Sequence, residues 1–261
     1  MTSPAALQPL RGRAVLVTRP SRQSDRLSRL VRDAGGEAVL FPALAIEPLP
    51  DAGASLAALG GLTTFDYAIF ISSNAVEMGA ALVTGAWPET LLVVAVGEGT
   101  AGALRSKGFA DVIVPQLGAD TESVLALPQF GRPEGKRILI FRGQGGRELL
   151  AEALRKRGAE VAYVECYRRI RPLHDPSQLI ARWEAGALHA VTAMSAETLD
   201  NLWAMLGARG QRLLLGTPLF VPHSSIAERA ARLGLTEVAV TPPGDEGLAR
   251  GLAAWFSLRA R

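Results

Sequence analysis

The chain has 261 residues, 48% of them apolar and 20% charged, with a formal charge of +3 and a pI of about 9.4. That is enough apolar material for one large core or two ordinary ones. It includes no run of about 18 apolar residues to span a bilayer, and the charge excess is too small to indicate nucleic acid. Cys166 stands alone and can form no intramolecular disulfide or CxxC site, and His174, His189 and His223 lack metal-ligand spacing. The start, MTSPAALQPLRGR, has no basic stretch followed by an apolar one, so a cytoplasmic location is expected. Arginines far outnumber Lys107, Lys136 and Lys156, a balance that suits carboxylate or phosphate ligands and that genome composition explains equally well.

In chain order, Val15 to Thr18 predicts a buried strand, and a helix-period segment with Leu27, Leu30 and Val31 on one face ends at Gly35-Gly36. The extended run from Glu37 to Leu49 is too long for one strand, which usually has about 5 or 6 residues. It contains Pro42 and Pro48, so its second half, beyond Phe41, must leave the sheet. A helix over 52–59 follows, then a strand from Tyr67 to Ile71 and a helix opening at Ser72-Ser73-Asn74 and lasting to about Thr84. Leu91 to Val96 predicts a strand, GEGT a helix start with its stop at Gly108, 111–114 a strand, and Gly118-Ala-Asp-Thr-Glu another helix. Phe130 to Gly135 is expected to be a linker of turn-forming residues.

A second copy then begins. Laid on residues 136–165, residues 13–42 match without a gap, putting Arg19 on Arg142, Leu27 on Leu150, Gly35 on Gly158 and Glu37 on Glu160. The register persists from Phe65 on Leu188, with Ser72 on Ser195, and with small gaps from Ala95 on Phe220. Glu160 to Pro172 is the second overlong run. Short strands at 188–193, 219–221 and 237–240 alternate with helices starting near Ala196, Ser225 and Glu246. Such alternation implies parallel sheets covered by helices on both faces. The duplication makes that two lobes of the doubly wound, flavodoxin-like kind, with ligands at the carboxyl ends of the strands.

Several residues stand at those ends. Gly97-Glu-Gly-Thr-Ala-Gly102 matches GxGxxG, which admits a nucleotide-dependent enzyme. The next strand, however, ends without an acidic residue for a ribose, and the repeat-mate Val221-Pro-His-Ser-Ser225 keeps none of the glycines. What the copies share is a helix start with small hydroxyl residues, a site for anions. Ser72, Ser73 and Asn74, like Ser195 and Thr198, read equally as helix caps, and Ser225 with Glu228 reads as a capping box. Arg19 and Arg142 end equivalent strands, with Arg22 and Arg147 one turn on, where they oppose the helix dipole unless an anion is bound. Tyr167, between Cys166 and Arg168, Arg169 and Arg171, reads either as packing or as a site residue.

Taken together, VLVTRP, GGEAVLFPALAIEP, FDYAIFISSNAVE, AVGEGTAGAL with GFADVIVP, ILIFRGQGGRELLAEALRKRGAEVAYVECYRR and FVPHSSIAERAARLGLTEVAVTPPGDEGLA resemble the uroporphyrinogen-III synthase family over essentially the whole chain. The resemblance implies an α/β fold of two flavodoxin-like lobes joined by a two-stranded antiparallel linker. Lobe 1 would comprise 1–43 and 170–261, lobe 2 49–163, and the linker ribbon 44–48 and 164–169. It further implies a lyase of heme biosynthesis that cyclises hydroxymethylbilane to uroporphyrinogen III with inversion of ring D, without metal or cofactor. Such an enzyme would act as a cytoplasmic monomer in possible transient contact with hydroxymethylbilane synthase. By motif, Tyr167 is the implied acid, and Ser72, Ser195, Thr100 and Ser225 the implied hydroxyls. Ser73, Ser224, Arg19 and Arg142 are expected beside them at the substrate. Many members have Gly-Pro-Thr-Thr where this chain has Pro222-His-Ser-Ser225, which adds His223 as a site candidate. Other readings are the nucleotide enzyme above and a bilobal protein that only binds an anionic ligand.

Overall fold

The structure is a computed structural model describing residues 8–146 and 148–259. Residues 1–7 of the segment read for a secretory signal lie outside the described residues, as does Arg147. Two compact units divide the chain: one takes both chain ends, up to Ala45 and from Ile170 onward, and the other is continuous from Ile46 to Arg169.

The elements follow the alternation read from the sequence. They are β1 (Ala14–Val17), α1 (Asp25–Asp33), β2 (Glu37–Leu40), β3 (Ala45–Pro48), α2 (Gly53–Leu59), β4 (Tyr67–Phe70), α3 (Ser73–Ala80), β5 (Leu92–Ala95), α4 (Glu98–Ser106), β6 (Val112–Ile113) and α5 (Thr121–Leu125). There follow β7 (Arg137–Gly143), α6 (Leu149–Lys156), β8 (Glu160–Ile170), α7 (Ser177–Glu184), β9 (Ala190–Thr192), α8 (Ala196–Leu215), β10 (Leu219–Val221), α9 (Ser224–Arg232), β11 (Val238–Val240) and α10 (Gly244–Arg259).

The first unit has strand order β11-β10-β9-β1-β2 and the second β3-β8-β7-β4-β5-β6. Ladders β1·β2, β1·β9, β9·β10, β10·β11, β8·β7, β7·β4, β4·β5 and β5·β6 are parallel. In repeat terms, β1 matches β7, β2 matches β8, and β4, β5 and β6 match β9, β10 and β11. With β3 set aside as an extra edge strand, each unit therefore shows the 2-1-3-4-5 order of flavodoxin-like sheets, with two strands from one copy and three from the other. The overlong runs cross between the units: beyond Phe41 the first leaves the sheet of β1 and continues as β3 in the other sheet, beside β8.

The apolar strands need cover on both faces, and both sheets receive it. In the first unit, Leu16 faces Trp183, Leu199, Leu202 and Ile226, while Val15 and Val17 face Leu27, Val31, Leu248, Leu252 and Phe256. In the second, Phe70, Leu139 and Phe141 lie under α3 and α4, while Ile69, Ile138 and Ile140 lie under α5 and α6. Phe70 and Phe141 stack with centroids 4.2 Å apart.

Several local expectations are corrected. Phe130 is fully buried and meets Tyr67 edge-on at 5.3 Å, so the joint between the copies is anchored rather than a free linker. α3 stops at Ala80, short of Thr84. Ser225 and Glu228 make no capping box: the cap position of α9 is His223, with no side-chain hydrogen bond. α7 is an addition to the elements expected, although Asp175-Pro176 announces it; Asp175 Oδ1 accepts from Ser177 N at 3.0 Å and Ser177 Oγ at 2.6 Å. α8 breaks at Gly207, where φ is 59°.

His189 joins β9 to β1. Its Nδ1 accepts the Ala14 N–H at 3.0 Å, which puts the ring proton on Nε2. Burial, then Arg13 and Arg182, hold its pKa below the ordinary 6.5. A depressed native pKa means that the unfolded chain binds the proton more readily. This stabilisation is complete above about pH 6.5 and is lost as pH falls through the depressed value, with a slope of at most about 1.4 kcal/mol per pH unit. Denaturant unfolding between pH 7.5 and 5.5 should show this loss, and His189→Asn, whose amide oxygen can still accept from Ala14, should flatten it. Equal slopes in both proteins would contradict the assignment.

Candidate functional site

The carboxyl ends of the strands hold most of the predicted site residues. In the second unit, Ser72 follows β4 as the cap of α3. Its Oγ accepts the Ala75 N–H at 3.1 Å and lies 3.2 Å from the Tyr167 hydroxyl. The ring of Tyr167 belongs to the core under α3 and α4, with Phe70, Ala75, Val76, Phe141, Val164 and Cys166. Packing and polar contact are thus both realised: Tyr167 is 5% exposed while its hydroxyl meets the start of a helix.

Ser73 is exposed at the same helix start, its Oγ 3.5 Å from the Gly99 carbonyl at the start of α4. Thr100 is buried in the first turn of α4, its N–H donating to Gly97 O at 3.1 Å. The GxGxxG resemblance has a packing explanation at its first glycine, since a Cβ on Gly97 would stand 2.6 Å from that of Ala119.

Arg142, at the end of β7, points to the opposite face. It is 2% exposed, lies 4.5 Å over the Tyr163 ring, and donates to Glu148 Oε1 at 2.8 Å. Tyr163 also donates to Glu148. The bonds from Tyr163 and Arg142 hold the Glu148 carboxyl below its usual pKa, while burial and then Glu148 raise the Tyr163 phenol. A substrate carboxylate would reach Arg142 only by displacing Glu148. Cys166, neighbouring Tyr167, donates to Val164 O at 3.2 Å, and burial pushes its thiol up to about 12.

In the first unit, Ser195 repeats the arrangement of Ser72. It caps α8, accepts Thr198 N–H at 3.1 Å, and meets the Thr198 hydroxyl at 2.9 Å. His223, Ser224 and Ser225 are exposed at the start of α9. Arg19 pairs with Asp245, a buried carboxylate in the first turn of α10, and Arg22 is exposed. No phenol stands where Tyr167 does, because its mate is the buried Leu44.

Of the residues marked in the sequence, the fold brings together Ser72 with Tyr167 and Ser73 with the α4 start. Sequence reasoning missed Glu148, Tyr163 and Asp245 as arginine partners. Nothing in local pattern signals these except the i, i+6 spacing of Arg142 and Glu148. Among the described residues, no three His, Cys, Asp or Glu side chains gather as a metal site, and no helix is long and apolar enough to cross a membrane.

Two parallel-sheet units built from exchanged repeat strands, each presenting hydroxyl-bearing helix starts and one a buried phenol, define a duplicated flavodoxin-like class. The sequence model of the family described as "Uroporphyrinogen-III synthase HemD" matches residues 25–249. The uroporphyrinogen-III synthase of Escherichia coli (strain K12) is 34% identical over 247 residues, covering 92% of this chain and 99% of that one. In fold, the chain is similar to a mutant uroporphyrinogen III synthase from the extremely thermophilic bacterium Thermus thermophilus, with a TM-score of 0.59 at 20% identity over 95% of this chain and 100% of that chain. It is likewise similar to the uroporphyrinogen-III synthetase of Helicobacter pylori 26695, with a TM-score of 0.61 at 15% identity and the same coverages. The chain belongs to the uroporphyrinogen-III synthase family.

With the thiol buried and its pKa raised, Cys166 should resist a thiol reagent at pH 8 until the protein unfolds. Rapid labelling of the native protein, followed by colorimetric detection, would contradict the packing around Tyr167.

Proposed function

We propose that Tyr167 is the proton donor in the reaction of this family, with Ser72 and the start of α3 behind it. The reaction is cyclisation of the linear tetrapyrrole hydroxymethylbilane in tetrapyrrole biosynthesis. The observation carrying the residue assignment is the 3.2 Å contact between the Ser72 and Tyr167 hydroxyls at the carboxyl end of β4.

The chemistry follows from the substrate. Its terminal hydroxyl leaves as water once a proton is supplied, and the residue left is a cationic azafulvene. Attack on the substituted carbon of the last pyrrole gives a spiro intermediate, whose opening and reclosure invert ring D; loss of a proton then completes the macrocycle. Closure without such guidance yields the uninverted isomer, so holding the substrate in shape is a large part of the catalysis.

Ser72 suits the supporting role. One lone pair of its Oγ takes the Ala75 N–H, so its proton is free to point at Tyr167. When Ser72 donates, the phenolic proton faces away and is available to the leaving hydroxyl. The phenolate left behind keeps a hydrogen bond whose donor sits on a helix N-terminus, the positive end of the dipole. Electrostatic support of this kind costs no reorganisation during reaction.

The eight substrate carboxylates are assigned to moderate anion sites in each unit: Ser73 and Thr100 in the second, Ser195, His223, Ser224 and Ser225 in the first. Arg19 and Arg142 act there as exchangeable partners, releasing Asp245 and Glu148 when a substrate carboxylate arrives. We place the chain in the cytoplasm as a monomer in transient contact with hydroxymethylbilane synthase.

Tyr167→Phe removes the proton and keeps the ring. It should lower kcat by about 10² to 10⁴-fold, the usual worth of a positioned acid, with a much smaller change in KM. Steady-state assays with hydroxymethylbilane generated in situ measure both constants. An unchanged kcat would return Tyr167 to packing alone.

A further inference from the structure

We infer that Gly143 is a positioning residue for the Tyr167 phenol: a slot left by its missing side chain, together with a bulge in β8, aims the hydroxyl at Ser72. The kinetic consequence rests on Tyr167 being the acid. The placement itself rests on geometry.

Side chains on a strand alternate between faces. Along β8, Tyr163 lies on the α5 and α6 face, and Val164 and Cys166 on the α3 and α4 face. Strict alternation would send Tyr167 back to the face of Tyr163. Instead Cys166 and Tyr167 share one core. The ladder explains it: Arg142 pairs with Glu165, but Gly143 pairs with Tyr167, one residue being skipped. Bulges of this kind re-aim a side chain, and the Gln144 N–H closes this one on Tyr167 O at 2.7 Å.

The ring delivered to that face needs room. A Cβ on Gly143 would stand 2.6 Å from Cε2, 2.7 Å from Cζ and 3.1 Å from Oη of Tyr167, along its hydroxyl-bearing edge. Gly143 is not at positive φ, so backbone freedom does not call for glycine there. Nor can the ring yield cheaply, since Phe141, Ala75 and Val76 pack around it. The repeat supplies a comparison: Pro20 stands at the place of Gly143 and Leu44 at that of Tyr167, so slot and phenol are present together in one copy and absent together in the other.

The test is Gly143→Ala in the full chain, alone and with Tyr167→Phe, measured for kcat and KM and by NMR of ¹³C-labelled tyrosine rings. Displacing a reacting group by about 1 Å can cost on the order of 100-fold. A drop in kcat of roughly 10- to 100-fold, with KM changed far less and the Tyr167 ring signal shifted, is the expected result. Once the hydroxyl is gone, alanine should cost little more. Equal fold losses in both backgrounds, or an unshifted ring signal, would overturn the inference. Wild-type kcat in Gly143→Ala while Tyr167→Phe is impaired would overturn it and leave Tyr167 as the acid. If Tyr167→Phe is itself fully active, the acid assignment fails, and the ring signal alone decides the slot. Should alanine prevent folding, adding Tyr167→Ala restores the fold if the ring is the obstacle; no restoration overturns the proposal.

Discussion

A strand as long as β8 must find hydrogen-bond partners along its whole length, because backbone N–H and C=O groups are costly to bury unpaired. Its first part pairs with β7, and β3 lies on its other side. β3 belongs to the first copy of the repeat and β8 to the second, so neither copy completes its own sheet. The run that overshoots β2 becomes β3, and the chain returns to the first unit at Ile170 through the end of β8. The discontinuous first unit follows from this exchange. So does the meeting of Ser72, from the first copy, with Tyr167, from the second.

The same constraint explains why one unit carries the phenol and the other does not. β8 continues past the point where β2 stops, through a bulge that turns Tyr167 onto the α3 face. In the other unit the corresponding residue, Leu44, is apolar and buried. Duplication gave two similar helix starts, Ser72 and Ser195, each capped at 3.1 Å, but the buried phenol stands beside one of them alone. The arginines that end β7 and follow β1 are both held by carboxylates of the chain. Those pairs keep cations at low exposure without leaving them uncompensated, a state that would cost several kcal/mol.

Much of this is legible in the residues. Period, apolar runs and the repeat point to the parallel sheets and their helices, and the length of Glu37 to Leu49, with Pro42 and Pro48 inside it, requires its second half to leave the sheet. Ser72 and Tyr167 are separately marked, but their contact across 95 positions is tertiary and leaves no local pattern. Ser225 and Glu228 have the right spacing for a capping box, yet the turn begins at His223 and places Ser225 inside the helix, where the box cannot close. Phe130 looks like part of a linker because glycines and prolines surround it, although its burial depends on Tyr67 across the fold. Read locally, glycines signal turns; at Gly97 and Gly143 the reason is a neighbour's proximity, which sequence does not display.

This chain steers closure of a linear tetrapyrrole rather than merely binding it. The direct measurement supplies hydroxymethylbilane in situ, oxidises the products and separates the uroporphyrin isomers by chromatography, with and without the protein. Isomer III is the expected dominant product in its presence. Isomer I alone, in the proportion formed spontaneously, would contradict it.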